Sequence, residues 1–168
     1  MSVFRICHWM AIALALYPQL LDAQGGASPR AASVMDTTAA HITGVVQRYV
    51  DALMARDTGY IRAASMPTAV SLGLRSDAPP DDVAMGRTVD VVIADLARET
   101  RRMVGRVWSP RVTLTGRVAL FTAPYAVWFD GKLSHCGIDH YIMAWSGGRW
   151  LVSQVIFTRE TAGCAPPP

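Results

Sequence analysis

Lysine is almost missing from this chain: Lys132 is the only one among sixteen Lys and Arg residues, and charged residues make up 17% of 168 positions. The arginines of the body of the chain are scattered from Arg30 to Arg159 rather than massed on one stripe, and the formal net charge is only +3. A nucleic-acid surface needs clustered cations, so nucleic acid is set aside as a partner. There is no glycine-rich phosphate loop, no Gly-x-Ser-x-Gly elbow and no cysteine placed at a helix start. Their absence argues against nucleotide-dependent chemistry and against serine or cysteine nucleophiles, and no cofactor is expected. No internal repeat or interdomain linker interrupts the sequence, and its length is that of one domain with one core.

Cysteine is also scarce, with Cys7, Cys136 and Cys164 only. Cys7 lies within residues 1–23, where Arg5 precedes an apolar run from Trp9 to Leu21 and Leu21-Asp22-Ala23 stands before Gln24. This pattern reads as a signal peptide, so the expected location is the periplasm or the cell exterior. Pro18 and Gln19 interrupt a run already short of the roughly 20 residues that span a bilayer, so no stable membrane insertion is expected after cleavage. Cleavage would leave Cys136 and Cys164 as one pair, and an oxidising compartment favours a disulfide between them over two unrelated thiols. Such a bond would tie the C-terminal tail, residues 161–168, to the sheet and add about 2–4 kcal/mol.

Residues 24–35 are rich in Gly, Ala, Ser and Pro and read as a disordered lead-in to a single domain over 36–160. Ile42, Val45, Val46, Tyr49, Leu53 and Met54 recur at helical spacing and predict a helix over 41–56, with Asp36, Thr37 and Thr38 as candidate caps. Asp57-Thr58-Gly59 ends it and caps a second helix over 59–64. A short strand follows at 69–74. A third helix, starting near Thr88 or Asp82, runs to about Met103 on the spacing of Val89, Val92, Ile93 and Leu96. The remainder alternates like strands, over 107–114 with Pro110 as an edge or bulge signal, then 117–129, and then two more. Thr115-Gly116, Asp130-Gly131 and Ser146-Gly147-Gly148 mark the turns. The expected class is α+β: about three N-terminal helices on a curved, mostly antiparallel sheet that ends in a β-meander.

Four blocks carry a resemblance: Val46-Gln47-Arg48-Tyr49-Val50-Asp51-Ala52-Leu53, Asp57-Thr58-Gly59-Tyr60, Gly137-Ile138-Asp139-His140-Tyr141-Ile142-Met143 and Gly147-Gly148-Arg149-Trp150-Leu151-Val152. In this order they resemble the nuclear transport factor 2-like superfamily, which includes SnoaL-like cyclases and ketosteroid isomerase. The resemblance covers about residues 36–158 and is nearest to exported bacterial members of unassigned activity with His-Cys-Gly ahead of the last hairpin. It implies a cone-shaped fold, a pocket between helices and sheet, and frequent dimerisation through the sheet. Fold alone does not give function.

Two-residue turns at Asp130-Gly131 and Gly147-Gly148 set an expected register. Thr122 then opposes Asp139, Ala126 opposes His135, and Gln154 opposes Tyr141. One face gathers Thr122, His135, Asp139, Tyr141 and Gln154 among Leu120, Met143, Trp150, Val152 and Ile156, as a small-molecule pocket would. The outer face then holds Tyr125, His140, Ser153 and Phe157. Asp139 and Tyr141 are the candidate general base and oxyanion donor, and Asp139 in apolar surroundings would have a raised pKa. The plain alternative is that Asp139 hydrogen-bonds Thr122, Gln154 or backbone and pins the sheet. Tyr49, Tyr60, Trp108, Thr122, His135 and Gln154 are the candidate ligand contacts. No metal is expected, because His135 and Asp139 are about 13 Å apart along a strand and His140 points the other way. Three functions follow as expectations: a homodimeric binder of a small apolar or aromatic ligand; a cofactor-independent isomerase, cyclase or dehydratase using Asp139 as general base with a tyrosine donor; or an association module acting through its sheet face.

Overall fold

The computed structural model describes residues 29–79, 81, 82, 84 and 86–165, with side chains from residue 38 onward. The expected signal peptide lies outside them. The elements in order are α1 (Pro29–Ala55), α2 (Thr58–Ala64), β1 (Ser65–Arg75), β2 (Arg87–Thr88), α3 (Val89–Arg98), β3 (Met103–Val107), β4 (Arg111–Thr115), β5 (Val118–Phe129), β6 (Lys132–Ser146) and β7 (Arg149–Arg159). This is the expected α+β layout, three helices against a mostly antiparallel sheet.

The helix ends follow local chemistry. Asp57 accepts a hydrogen bond from the Tyr60 N–H at the start of α2, and Thr88 does the same for Val91 at the start of α3. These side chains satisfy amide donors that a first helical turn leaves orphaned. One boundary differs at the N-terminus, where α1 begins at Pro29 and not at His41. Residues 29–35 of the expected lead-in are its first turns. Ala31-Ala32 are strong helix formers, which favours helix in this stretch. At its other end α3 stops at Arg98, and Met103 belongs to β3 rather than to the helix. The Glu99 carboxylate accepts from the Arg101 N–H and guanidinium, which turns the chain between them.

The sheet order is β2-β1-β7-β6-β5-β3, with β4 also paired to β5. The strand expected over 107–114 is split at Trp108-Ser109-Pro110, where Ser109 takes a φ of 47°, and both halves pair with β5. Proline lacks the N–H that would continue the ladder, which explains the break. β1 is longer than its expected span and lies parallel to β7. The turns at Asp130-Gly131 and Gly147-Gly148 have positive φ at both residues, as two-residue hairpins require.

The core lies between α1 and the sheet, where Ile42, Val46 and Tyr49 meet Phe121, Tyr141, Met143 and Val152. Each such large apolar side chain stabilises the fold by about 1.5–3 kcal/mol through burial. The expected bond between Cys136 and Cys164 is present, with its Cα atoms 5.7 Å apart. Beside it Cys136 and Glu160 exchange two backbone hydrogen bonds, which fixes the tail against β6.

Candidate functional site

The two hairpins do not keep the register that their turns set at the start. In β5–β6 the pairs run Phe129↔Lys132 and Trp128↔Leu133, then jump to Val127↔His135, leaving Ser134 as an extra residue. In β6–β7 the pairs jump from Met143↔Val152 to Ile142↔Gln154, leaving Ser153 extra. Each is a β-bulge, and a one-residue shift moves side chains to the opposite face. The bulge serines make local bonds: Ser153 Oγ donates to the Ile142 carbonyl at 2.8 Å, and Ser134 Oγ lies 3.0 Å from His135 Nδ1.

The face gathered by simple counting is therefore corrected. Asp139 stands opposite Ala123 and Phe157, and Tyr141 stands opposite Phe121 and Val155. Thr122 and Gln154 lie on the other face. There Thr122 Oγ1 sits 3.1 Å from His140 Nδ1, and Gln154 pairs with Ile142. Leu120 also turns outward and is 39% exposed. Tyr125 and Phe157, expected outside, face the helices.

Between α1, α3, β1 and the helix-covered face of the sheet is a cavity of about 330 Å³. Four of the expected site residues line it: Tyr49, His135, Asp139 and Tyr141. Tyr60 and Trp108 do not. The Tyr60 ring lies under the Arg48 guanidinium at 4.7 Å, and Trp108 sits at the β3–β4 break, donating its N–H to the Pro124 carbonyl. The lining residues that the sequence reading missed are mainly Val92 and Leu96 of α3, Met103 and Val107 of β3, and Phe129 and Phe157 of the sheet. The helical spacing of α3 already marked its apolar stripe; what that stripe covers depends on tertiary packing.

Asp139 is 7% exposed, and its carboxyl makes no hydrogen bond or ion pair among the described residues. Burial alone pushes its carboxyl up to about 7, because a charge is disfavoured away from water. Tyr141 is buried as well, and its hydroxyl has no partner among the described residues. Burial raises the Tyr141 pKa, with the Asp139 charge adding to the effect. The other two cavity phenols are engaged. Tyr125 Oη donates to the Thr158 carbonyl at 2.8 Å. Tyr49 Oη is 3.1 Å from Ser65 Oγ, which itself donates to the Ile61 carbonyl, so the tyrosine is the donor of that pair. Burial, helped by the Arg159 charge, pushes His135 down to about 4, so it is a neutral imidazole near pH 7.

The ring walls are ordered by edge contacts: Tyr49 and Phe121 both stand edge-on to Tyr141, and Tyr125 stands edge-on to Phe157 and His135. Gly137 lets the end of β7 approach closely, since a Cβ there would lie 2.2 Å from the Thr158 carbonyl oxygen. At the rim Arg87 pairs with Asp95 at 3.2 Å. No group of three or more His, Cys, Asp or Glu side chains converges among the described residues, and Asp139 and His140 face opposite sides of the sheet. Chemically, the site is an apolar chamber with one free carboxyl and one free phenol two residues apart on the same strand.

No protein-family model matches the sequence, and no curated protein matches it. Solved structures do resemble the fold. One is named as the β subunit of a proposed aromatic-ring-hydroxylating dioxygenase from Novosphingobium aromaticivorans, at 13% identity over 79% of this chain and 95% of that one, with a TM-score of 0.65. A second from the same organism is an NTF2-like protein with a cystatin-like fold, at 11% identity over 84% and 94%, with a TM-score of 0.62. A third is an NTF2-like protein of unknown function from Pseudomonas putida, at 15% identity over 73% and 87%, with a TM-score of 0.59. At such identities the likeness establishes architecture and not activity. The chain has the nuclear transport factor 2-like, cystatin-like cone fold.

Proposed function

We propose that the protein binds a small, largely apolar or aromatic molecule in the cavity between its helices and sheet. The observation that carries this reading is a chamber of about 330 Å³ whose walls are mostly aliphatic and aromatic and into which Asp139 and Tyr141 bring a carboxyl and a phenol with no partner among the described residues. Ligand sites combine apolar walls with a few orienting polar groups at about this volume. We place the protein in the periplasm or outside the cell, which the Cys136–Cys164 bond supports because such bonds persist in oxidising compartments. We also place it as a homodimer formed through the opposite sheet face, where Val118 and Leu120 are exposed.

Native mass spectrometry of protein purified from its own compartment tests the binding reading. A retained molecule, lost when Val92→Trp narrows the cavity wall, supports it. A chain that emerges empty, and whose thermal midpoint no apolar or aromatic compound raises, overturns it.

A catalytic reading is favoured by one observation, that Asp139 and Tyr141 are both unpartnered on one face. An acid titrating near 7 is suited to shuttle a proton, and a free phenol to stabilise a developing oxyanion. In that case the protein is a cofactor-independent isomerase, cyclase or dehydratase. A bound ketone would exchange its α-hydrogens with deuterated solvent, and Asp139→Asn would stop the exchange; equal rates in both proteins would exclude it.

A further inference from the structure

The interior of the cavity holds one acid and no cation. The charged and titratable groups around Asp139 come from every element that walls the chamber. α1 contributes Tyr49, β5 Tyr125, and β6 His135 and Tyr141; α3 contributes Asp95 and Glu99, β2 Arg87 and β3 Arg106. The acids and bases of the rim are accounted for among themselves. Arg87 and Arg98 pair with Asp95, and Arg101 pairs with Glu99. Arg106 is exposed and alternates with Gly105 and Val107, pairing with Ala126 across the ladder, so its place on the strand is the face away from Met54 and the helices. Arg159 acts on His135 and Tyr125 from the exposed end of β7 but does not line the chamber. His135 is neutral near pH 7. Among the described residues nothing neutralises the carboxylate.

A carboxylate held away from water without a partner is costly, and a cationic partner with N–H donors removes most of that cost. The walls suit such a partner. Tyr49, Tyr125, Phe129, Tyr141 and Phe157 ring the chamber, and aromatic faces attract ammonium groups. Ala123, opposite Asp139, offers the carboxylate no polar partner. The free Tyr141 oxygen, two residues along the strand, can accept a second N–H.

We propose that the cavity selects hydrophobic amines: a compact aromatic or aliphatic body with a primary or methylated ammonium group seated on Asp139 and Tyr141. This rests on the reading of the cavity as a ligand site. The rival for the same atoms is a neutral carbonyl ligand accepting a proton from uncharged Asp139, and the two differ in the sign of their pH dependence. An ammonium needs the carboxylate, so its affinity rises with pH through neutrality; a carbonyl needs the carboxylic acid, so its affinity falls.

Titration calorimetry on the full chain after removal of any bound molecule, with 2-phenylethylamine, 2-phenylethanol and acetophenone at pH 6 and pH 8, decides between them. The expected result is that the amine binds at least about tenfold more tightly than the alcohol at pH 8, and about tenfold more weakly at pH 6 than at pH 8. Asp139→Asn should abolish the preference for the amine over the alcohol, and the pH comparison on the unmutated chain needs no variant to fold. Equal binding of amine and alcohol overturns the amine assignment and leaves the cavity reading intact. Tighter acetophenone binding at pH 6 than at pH 8, without amine preference, assigns the site to carbonyl ligands instead. If no probe binds and the purified protein retains no molecule, both the assignment and the cavity reading fall.

Discussion

Replacing Asp139 by asparagine should change how stability depends on pH more than it changes the fold. In the folded chain burial holds the Asp139 carboxyl at about 7, against 3.8 for a free aspartate. Between those values the native state keeps a proton that the unfolded chain has released. Stability attributable to this group is therefore complete below pH 3.8, falls as pH rises, and is lost above about 7. At 1.36 kcal/mol per pKa unit, the span amounts to about 4 kcal/mol, an upper figure because buried sites relax. His135 works in the opposite direction. Its folded pKa of about 4 lies below the usual 6.5, so its contribution is lost as pH falls through that window. The two slopes oppose each other in the wild type, but His135 is present in both proteins and cancels in the difference. Urea unfolding of wild type and Asp139→Asn at half-unit steps from pH 4 to pH 8 gives that difference directly. The variant should gain on the wild type by up to about 4 kcal/mol across the range, with most of the change between pH 4 and 7. Parallel curves would mean that Asp139 ionises freely in the folded state, and the description of a dry, unpartnered carboxylate would be wrong.

Cys136→Ser with Cys164→Ser should lower stability by about 3.5 kcal/mol, from the entropy of opening a loop of this length, and reduction should add the mass of two hydrogens to the wild type; an unchanged mass removes the bond. Gly137→Ala should destabilise by more than about 2 kcal/mol, because its Cβ would strike the Thr158 backbone, whereas Gly44→Ala on α1 meets nothing and should be neutral or stabilising by about 0.5–1 kcal/mol; similar melting shifts for the two would count against the close approach at Gly137. Tyr49→Phe should cost about 1 kcal/mol through its bond to Ser65, while Tyr141→Phe, whose hydroxyl has no partner, should leave stability unchanged, and equal losses would argue against an unpartnered Tyr141. Leu120→Glu on the exposed sheet face should halve the sedimenting mass of a dimer without altering the cavity, and an unchanged mass would exclude that face as the interface.

Much of the architecture was legible from local signals. The stripe from Ile42 to Met54, the caps at Asp57 and Thr88, and the paired turn residues all act within a few positions of themselves. The Cys136–Cys164 pair followed from elimination. Non-local features were not legible. The parallel pairing of β1 with β7 joins segments some eighty residues apart, and neither carries a sequence mark of the other. The helix over residues 29–35 is hidden because Gly, Ala, Ser and Pro together resemble a loop, although the alanines individually favour helix. The candidate site was half legible: Tyr49, His135, Asp139 and Tyr141 line one cavity, while counting from turns puts Thr122 and Gln154 on that face and the bulges turn them away. Ser134 and Ser153 carry no turn or glycine signal that marks them as bulges, and each one reverses a face.

Those two bulges explain why the site has an unsatisfied acid at all. In the register that the turns alone would set, Asp139 would face Thr122 and Ile156 with Gln154 nearby, and a carboxylate beside a hydroxyl and an amide would be an ordinary hydrogen-bonded pin in the sheet. With one residue added to each ladder, Thr122 finds His140 on the far face, and Asp139 is left with Ala123 and Phe157. The chain thus possesses polar partners suited to Asp139 and directs them elsewhere. A buried group that folding leaves unpaired is held against a stability cost, and such costs concentrate where a protein meets its ligand. Structures sharing this fold at 11–15% identity have the same architecture without demanding the same interior residues. The unpaired acid of this chain therefore sits on the inward face of β6, set there by two serines that do not line the cavity.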